Sequence, residues 1–444
     1  MERERAEYIQ IAEELGGDVA GRERARAFIE ASDATFHGQP LEFSFVPYLL
    51  NADDRAFLAE QCTTAHRILC KVIDRYLEDP SYRALFHFPK EVEQLVLLPC
   101  SYSQKLPMAR FDLFLDEHDR SYKFCEFNTD GSGAMSRDLV MAQALMQTET
   151  YRRFASRHGI EPFELFDSWV EAFLHIYHEG GGEKEHPNIA VTDFSESGVF
   201  SDFDRFVAAF ERAGCKARFV DTRTFTFDGT HLIDPSDGTV IDAIYRRAVT
   251  SELLGHLDEC RALIDAVAAE RVCLIGHFRT TVVHSKMVNV ALFDEQTRAF
   301  LTDEENAFVE AHVPRTYRLR SDATGFDVAE VKARKDAWIV KPEDDYGAHG
   351  VYPGVDFGQD EWERIVDDKL DAGYIAQEFY PPRTVRILNA RVDETDPCKV
   401  ENWQSMPGVY LYDGKPVGLY CRLGQEGVIA LDHNGLCAPS FKVD

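Results

Sequence analysis

The chain has 444 residues, of which 45% are hydrophobic, enough for two or three packed domains that share a large buried core. A formal net charge of −29 would repel phosphate backbones, so we expect no nucleic-acid partner. No apolar run approaches bilayer length, and the Glu- and Arg-rich residues 1–15 contain no apolar signal segment, so we expect a cytoplasmic protein without membrane contact. The ten cysteines show no CxxC spacing, which argues against zinc.

The first predicted region covers residues 1–184. Apolar residues spaced three and four apart predict helices over 1–90, and alternating patterns predict short strands within 92–128. A long helix is predicted from Met135 to about His158. The run Gly180, Gly181, Gly182 then marks a domain boundary.

Strand and helix patterns alternate in the second predicted region, residues 185–284. This alternation is typical of a small parallel-sheet domain. Strands are predicted at Asn188 to Phe194, Ala217 to Val220, Val240 to Tyr245 and Val272 to Ile275, with a helix at Ser201 to Ala213.

The third predicted region, residues 285–444, has a mixed α+β pattern. A helix is predicted from Ser285 onwards. The predicted strands are Ala337 to Lys341, Tyr374 to Phe379, Lys399 to Gln404 and Val417 to Arg422.

Two alternating runs around a polar turn predict a β-hairpin, which we call the acidic hairpin. If its strands pair symmetrically about Asp119, Asp112 lies opposite Glu126. The same register places Arg110 opposite Asn128. Side-chain alternation then puts all four residues on one face of the hairpin.

Directly opposed carboxylates destabilise a sheet unless a cation lies between them. Carboxylate and amide oxygens suit Mg²⁺, so we interpret Asp112, Glu126 and Asn128 as metal ligands. The alternative is a solvated hairpin face on which Arg110 neutralises Asp112.

A second motif is an apolar strand that begins at Trp338 and delivers Lys341 into a loop containing Gly347 and Gly350. Backbone amides of a glycine loop and a lysine at the strand end suit phosphate binding. The spacing is not that of a Walker A motif, in which the lysine follows the glycines. The alternative is an ordinary junction between a strand and a loop.

Further candidates occur along the second half of the chain. The strand ending at Phe379 has backbone groups that suit an adenine edge, or it is an ordinary core strand. Lys286, at the start of a helix, and Arg422, at the end of a strand, are candidate phosphate cations. The alternative for both is a surface salt bridge.

The order of these motifs resembles that of the circularly permuted ATP-grasp ligases. The order is Arg-x-Asp, Glu-x-Asn-Thr, a lysine, Lys-Pro with glycines, a hinge strand and an arginine. The most similar family is glutathionylspermidine synthetase, in its synthetase domain, and the resemblance covers roughly residues 35–442. It implies an α/β (α+β), permuted ATP-grasp fold. Residues 1–184 would contribute to the core, 185–284 would form a small parallel-sheet pre-ATP-grasp domain, and 285–444 would supply the lid and the C-terminal nucleotide-binding part.

The resemblance also implies roles for individual residues, with ATP and Mg²⁺ as cofactors. Arg110, Lys341 and Arg422 would act on the transferring phosphoryl group. Asp112, Glu126 and Asn128 would hold Mg²⁺, with Asp345 as a further ligand. The implied ATP-binding residues are Arg110, Lys286, Lys341, Gly347, Gly350, Ala376, Gln377, Glu378, Phe379, Arg422, Gly427, Val428 and Ile429.

Departures from the family concern the second substrate. Relatives that bind glutathione carry small hydroxyl residues where this chain has Gly131 and Gly133, with Ser132 between them. The segment that contains Asp193 and Glu196 lies where the family places an acidic pair near its substrates, with only one acid after Asp193 at comparable spacing. Arg246 matches a basic substrate-binding position. We interpret Ser132, Glu196 and Arg246 as substrate-binding residues, with Arg246 pairing a second carboxylate of the acid.

These features predict an ATP- and Mg²⁺-dependent ligase that activates a carboxylate as an acyl phosphate and joins it to an amine. The strongly negative net charge favours a cationic amine. Alternatives are a nucleotide-binding protein with a regulatory or assembly role, and an oxidoreductase based on residues 186–276. The oxidoreductase is disfavoured because that segment has no GxGxxG fingerprint. The sequence names neither the acid, the amine, the pathway nor the oligomeric state.

Overall fold

The structure, a computed structural model, describes residues 1–323, 325–344 and 349–444. It is a mixed α/β protein with several sheets. None of the helices in these three segments is both long and apolar enough to span a membrane.

The N-terminal region is mainly helical and contains the acidic hairpin. Its helices are Glu2–Glu14, Val19–Glu30, Ala52–Glu78, Pro80–Arg83, Lys90–Val96, Met135–Leu145, Glu149–Ala155 and Asp167–Glu179. Its strands are Thr35–Phe36, Gln39–Pro40, Tyr48–Leu50, Met108–Leu115, Tyr122–Asn128 and Ile160–Pro162.

The long helix predicted from Met135 to about His158 is wrong, because the structure has two helices there. Met135–Leu145 ends before a short turn, and Thr148 caps the next helix by accepting a hydrogen bond from the backbone N–H of Tyr151. The Thr148 hydroxyl also donates to the carbonyl of Leu145. A threonine that bonds nearby backbone groups competes with helical hydrogen bonding, which apolar periodicity does not register.

The middle region contains the predicted parallel sheet. Its four strands are ordered Cys273–Ile275, Ala243–Arg246, Asn188–Asp193 and Lys216–Asp221, and every neighbouring pair is parallel. The helices of this region are Phe200–Arg212, Thr250–Leu254 and Arg261–Ala268.

The single strand predicted at Val240 to Tyr245 is two strands in different sheets. Thr239–Ile241 belongs to an antiparallel sheet with Leu232–Asp234 and Thr226–Phe227, whereas Ala243–Arg246 belongs to the parallel sheet. Asp242 separates them, and its carboxylate accepts a hydrogen bond from the backbone N–H that begins the neighbouring strand. A continuous apolar run therefore concealed a change of sheet.

Two sheets contain most strands of the C-terminal region. The first is antiparallel, in the order Thr316–Arg318, Tyr374–Glu378, Trp338–Pro342 and Tyr352–Pro353. The second has the order Leu436–Ala438, Lys415–Gly424, Glu401–Tyr412, Met108–Leu115 and Tyr122–Asn128, with Thr384–Ile387 also paired to Glu401–Tyr412. The helices are Thr281–His284, Met287–Ala291, Glu295–Arg298, Asp303–His312, Val328–Ala333 and Gln359–Lys369.

Two sets of strand pairings join the N-terminal and C-terminal regions. The acidic hairpin pairs with Glu401–Tyr412, and the last strand, Ser440–Val443, lies between Tyr48–Leu50 and Ile160–Pro162. One large buried cluster of side chains includes residues of the hairpin, the C-terminal sheet and the parallel sheet. The boundaries at 184 and 284 stay predictions.

Candidate functional site

The acidic hairpin has the register that the sequence predicts at its open end. Arg110 pairs with Asn128 and Asp112 pairs with Glu126. The register shifts by one residue immediately after Asp112, so Cys125 has no opposite partner. This bulge turns Cys125 towards a cavity at the hairpin face, which symmetric pairing did not predict.

Two arginines neutralise the buried carboxylate of Asp112. Arg110 Nε donates to Asp112 Oδ1 at 2.8 Å, and Arg422 reaches Oδ2 from a strand of the same sheet. Asn128 Nδ2 donates to the same Oδ2 at 2.9 Å. Burial alone would lower the pKa of the Arg110 guanidinium, but the Asp112 carboxylate raises it. Asp112 is thus a counterion of Arg110, as in the alternative interpretation of the hairpin, but it is buried and not on the solvated face that this alternative assumed.

The Glu126 carboxylate is surrounded by cations. Burial alone would raise its pKa, but Lys286 and Lys341, followed by Arg422 and Arg110, lower it to about 2. Glu126 therefore stays ionised at neutral pH. We call Arg110, Lys286, Lys341 and Arg422 the cation cluster.

A cavity of about 300 Å³ lies between the acidic hairpin and the sheet that contains Lys341. It brings together most of the residues that the sequence indicates. These are Arg110, Glu126, Asn128, Ser132, Lys286, Lys341, Gln377, Glu378, Phe379, Arg422, Gly427, Val428 and Ile429.

Several indicated residues do not line this cavity. Asp112 lies behind Arg110, and Ala376 packs into the core on the far face of its strand. Gly350 has a left-handed φ of 65° and lies close to the hydroxyl of Tyr374. The predicted positions 345 and 347, an aspartate and a glycine, lie outside the described residues.

Part of the cavity lining is apolar. Val428 and Ile429 are joined there by residues that the sequence reasoning did not name, Ile339, Val351 and Met406. The alternation that places Lys341 on one face of its strand also places Ile339 there, so a signal for Ile339 was present. Met406 pairs directly with Arg422 across two strands, which only the sheet reveals. A lining that combines apolar and cationic side chains suits a ligand with a flat base and phosphates.

The Arg246 side chain does not reach this cavity. It is fully buried and pairs with Asp130. Its other N–H groups donate to the carbonyls of Gly276 and Ala248. Its hydrogen-bonding groups are therefore engaged inside the protein, and the predicted pairing with a substrate carboxylate does not fit this arrangement.

The two other indicated substrate residues have different environments. Glu196 is 70% exposed at the surface, where it pairs with Arg223 and does not face the cavity. Ser132 lines the cavity, and its hydroxyl donates to the carbonyl of Asn128 at 2.6 Å.

Close packing explains the glycines beside Ser132. A Cβ on Gly133 would lie 2.7 Å from Arg247 Nη2, and one on Gly131 would lie 2.5 Å from the Arg247 carbonyl oxygen. Arg247 in turn pairs with Asp202 at 3.3 Å. Arg247 of the parallel-sheet region therefore occupies the space that a larger side chain at position 131 or 133 would need.

Magnesium has a partial donor set in this site. In the part of the chain that the structure describes, no group of three or more His, Cys, Asp or Glu residues is arranged to hold a metal. The ionised Glu126 carboxylate lies beside Asn128, whose N–H points to Asp112. Mg²⁺ commonly binds one or two protein carboxylates together with substrate phosphates, so Glu126 and the Asn128 oxygen fit it.

Comparison of the sequence with protein-family models and with curated proteins gives no match. Among solved structures, the chain is similar to a glutathione synthetase-like effector from Globodera pallida, with a TM-score of 0.58 and 13% identity over 95% of this chain and 96% of that one. A putative gamma-glutamylcysteine synthetase from Methylobacillus flagellatus matches at a TM-score of 0.39 and 13% identity over 84% and 85%, too weak a likeness to carry an argument. The chain is therefore similar in fold to this glutathione synthetase-like effector.

Proposed function

We propose that this protein is an ATP- and Mg²⁺-dependent carboxylate–amine ligase with a permuted ATP-grasp fold, similar to glutathionylspermidine synthetase. The observation that carries the proposal is the cation cluster. Arg110, Lys286, Lys341 and Arg422 come from separate segments of the chain and surround Glu126 at one end of a single cavity.

The charge in the site favours a polyanionic ligand. The four side chains of the cation cluster are positively charged and line the same cavity as Glu126, so they attract anionic groups of a ligand. The phosphates of ATP would bind beside these cations, and the apolar residues near Ile429 would take the adenine. The backbone from Gln377 to Phe379 would contact the adenine edge.

Magnesium would be held by Glu126 and Asn128 together with ATP phosphates. When bound, it would neutralise phosphate charge and orient the terminal phosphoryl group. Asp112 would act through the arginines that it positions.

The proposed reaction has two steps. A carboxylate oxygen of the acid bonds to the γ-phosphorus of ATP, and the bond to the β-phosphate oxygen breaks, which releases ADP. Arg110 and Arg422 would stabilise the charge on the transferring phosphoryl oxygens. The nitrogen of the amine then bonds to the acyl carbon, loses a proton and expels phosphate. Exclusion of water from the cavity would protect the acyl phosphate from hydrolysis.

The substrates are proposed only by class. The net charge of −29 favours a cationic amine, because it raises the local concentration of cations at the protein surface. The acid is proposed to be an amino-acid or small-peptide carboxylate. Because Arg246 is engaged by Asp130, any second carboxylate of the acid needs another partner.

A turnover assay tests this proposal. The protein is incubated with Mg-ATP and pools of carboxylates and amines, and ADP and phosphate are measured, with omission of each pool as a control. We expect ADP release that requires an acid, and loss of it in Arg422→Ala but not in Arg212→Ala, a surface arginine. ATP binding without any turnover would instead favour a regulatory or assembly role. Absence of ATP binding would overturn the proposal.

A further inference from the structure

We infer that Gln377 is a positioning residue for Lys341. Its neutral side-chain amide directs the Lys341 ammonium group into the cavity and leaves the positive charge of that group in place. This inference rests on the proposed function. It goes beyond the role of Gln377 as part of a backbone hinge, because it concerns a hydrogen-bonded row of side chains across three strands.

The row runs from Lys341 to Pro314. Lys341 Nζ donates to Gln377 Oε1 at 3.0 Å, and Gln377 Nε2 donates to Thr316 Oγ1 at 2.9 Å. Thr316 Oγ1 donates in turn to the carbonyl oxygen of Pro314 at 2.9 Å. Gln377 stands directly opposite Thr316 in the antiparallel sheet, and Lys341 lies diagonally across the next strand.

The chemistry of the row determines which way the Gln377 amide points. A carbonyl oxygen only accepts, so Thr316 must give its one hydroxyl proton to Pro314. The free lone pairs of Thr316 then accept from the amide nitrogen of Gln377. The amide oxygen is left facing Lys341, which only donates. Each group thus has one compatible orientation.

The partner of Lys341 is a neutral amide rather than a carboxylate. Within the described residues, no carboxylate pairs with Lys341 at ion-pair distance, although Lys341 contributes to the lowered pKa of Glu126. Lys341 and Gln377 are only 5% and 3% exposed. One of the three ammonium N–H groups is used by Gln377, which leaves two for a ligand. Fixing a flexible lysine before binding lowers the entropy that binding must offset.

The experiment compares the affinities for Mg-ATP and adenosine by calorimetry. Adenosine has no phosphates, so the ratio of the two affinities isolates the phosphate end of the cavity. We expect the preference for ATP to fall about tenfold in Gln377→Met and further in Gln377→Glu, because a carboxylate would neutralise Lys341 and repel phosphate. Gln359→Met, on an exposed helix, is the matched control and should keep the wild-type ratio.

A second pair of variants tests the far end of the row. Thr316→Val removes the acceptor of the Gln377 amide and should lower the ratio, whereas Thr316→Ser keeps the hydroxyl and should preserve it. If Gln377→Met does not fold, the comparison of Thr316→Val with Thr316→Ser tests the inference in its place. Equal ratios in Thr316→Val, Thr316→Ser and wild type, or an unchanged ratio in folded Gln377→Met, would overturn the inference alone. Wild-type protein that binds neither ligand would overturn the proposed function and the inference together.

Discussion

Arginine–aspartate ion pairs occur in two neighbouring regions of this protein, and their consequences differ. At the acidic hairpin, Arg110 and Arg422 share Asp112 and remain 11% and 18% exposed. Beneath the adjoining loop, Arg246 pairs with Asp130 and Arg247 with Asp202, and these arginine side chains are 0% and 3% exposed. We call these two ion pairs, Arg246–Asp130 and Arg247–Asp202, the loop brace.

The two regions differ in what the arginines face. In the loop brace, each arginine has its own carboxylate; Arg246 also donates to backbone oxygens and a hydroxyl group, and Arg247 Nη1 donates to the Tyr245 hydroxyl. In the cation cluster, four cationic side chains lie near the ionised Glu126 carboxylate and line a cavity. A fully buried ion pair contributes to the structure, whereas cations that line a cavity can also be stabilised by an anionic ligand. The same residue types thus serve stability in one region and binding in the other.

The largest expected effect is on the loop brace. Arg246→Met leaves the buried Asp130 carboxylate without its guanidinium, and we expect a loss of about 3–5 kcal/mol in the free energy of unfolding. Urea denaturation measures this loss. Arg212→Ala, which breaks an exposed pair with Asp167, is the control and should change little. Normal stability combined with loss of acid-substrate binding in Arg246→Met would restore its role in substrate recognition.

The next effect is on Asp112. Asp112→Ala leaves Arg110 and Arg422 without their shared carboxylate, so we expect a loss of about 1.5–3 kcal/mol in stability together with loss of Mg-ATP turnover. An interpretation based on repulsion between opposed carboxylates predicts the reverse, an unchanged or increased stability. Urea denaturation of the ligand-free protein distinguishes the two.

A smaller effect is expected at Glu126. Glu126→Gln removes one negative charge from the cation cluster, so ATP without Mg²⁺ should bind at least as tightly as it does to wild type. The gain in affinity that Mg²⁺ provides should fall by about 1.4 kcal/mol or more, which is a factor of ten. Calorimetry with ATP in the presence of Mg²⁺ or of EDTA measures both quantities. An undiminished Mg²⁺ effect would contradict the assignment of Glu126 as a ligand.

The last prediction concerns pH, where the expected change near neutrality is the smallest of all. The pKa of Glu126 is lowered from 4.5 to about 2, so its contribution to stability is fully present above pH 4.5 and is lost as the pH falls through about 2. The difference in unfolding free energy between wild type and Glu126→Gln should therefore be constant from pH 5 to 8 and shrink below pH 4.5. Denaturation at several pH values measures it. A slope between pH 6 and 8 would show that cations do not hold this carboxylate ionised.

Much of the fold was predictable where the pattern is short and regular. The register at Asp112 and Glu126, the strand that carries Lys341 and the parallel sheet all follow from alternation or strand–helix periodicity. The same periodicity failed at Thr148 and Asp242, where a polar side chain that hydrogen-bonds to the backbone stands between two elements.

The sequence by itself determined which residues can share a strand face, because side-chain direction depends on the nearest backbone dihedrals. It therefore indicated Arg110, Asp112, Glu126 and Asn128 as one group. Only the tertiary structure decided what surrounds them, since Arg422 meets Asp112 across 310 residues of chain. The burial and pairing of Arg246 with Asp130, 116 residues away, were likewise decided by the tertiary structure, because these properties of a charge depend on which distant segments pack together.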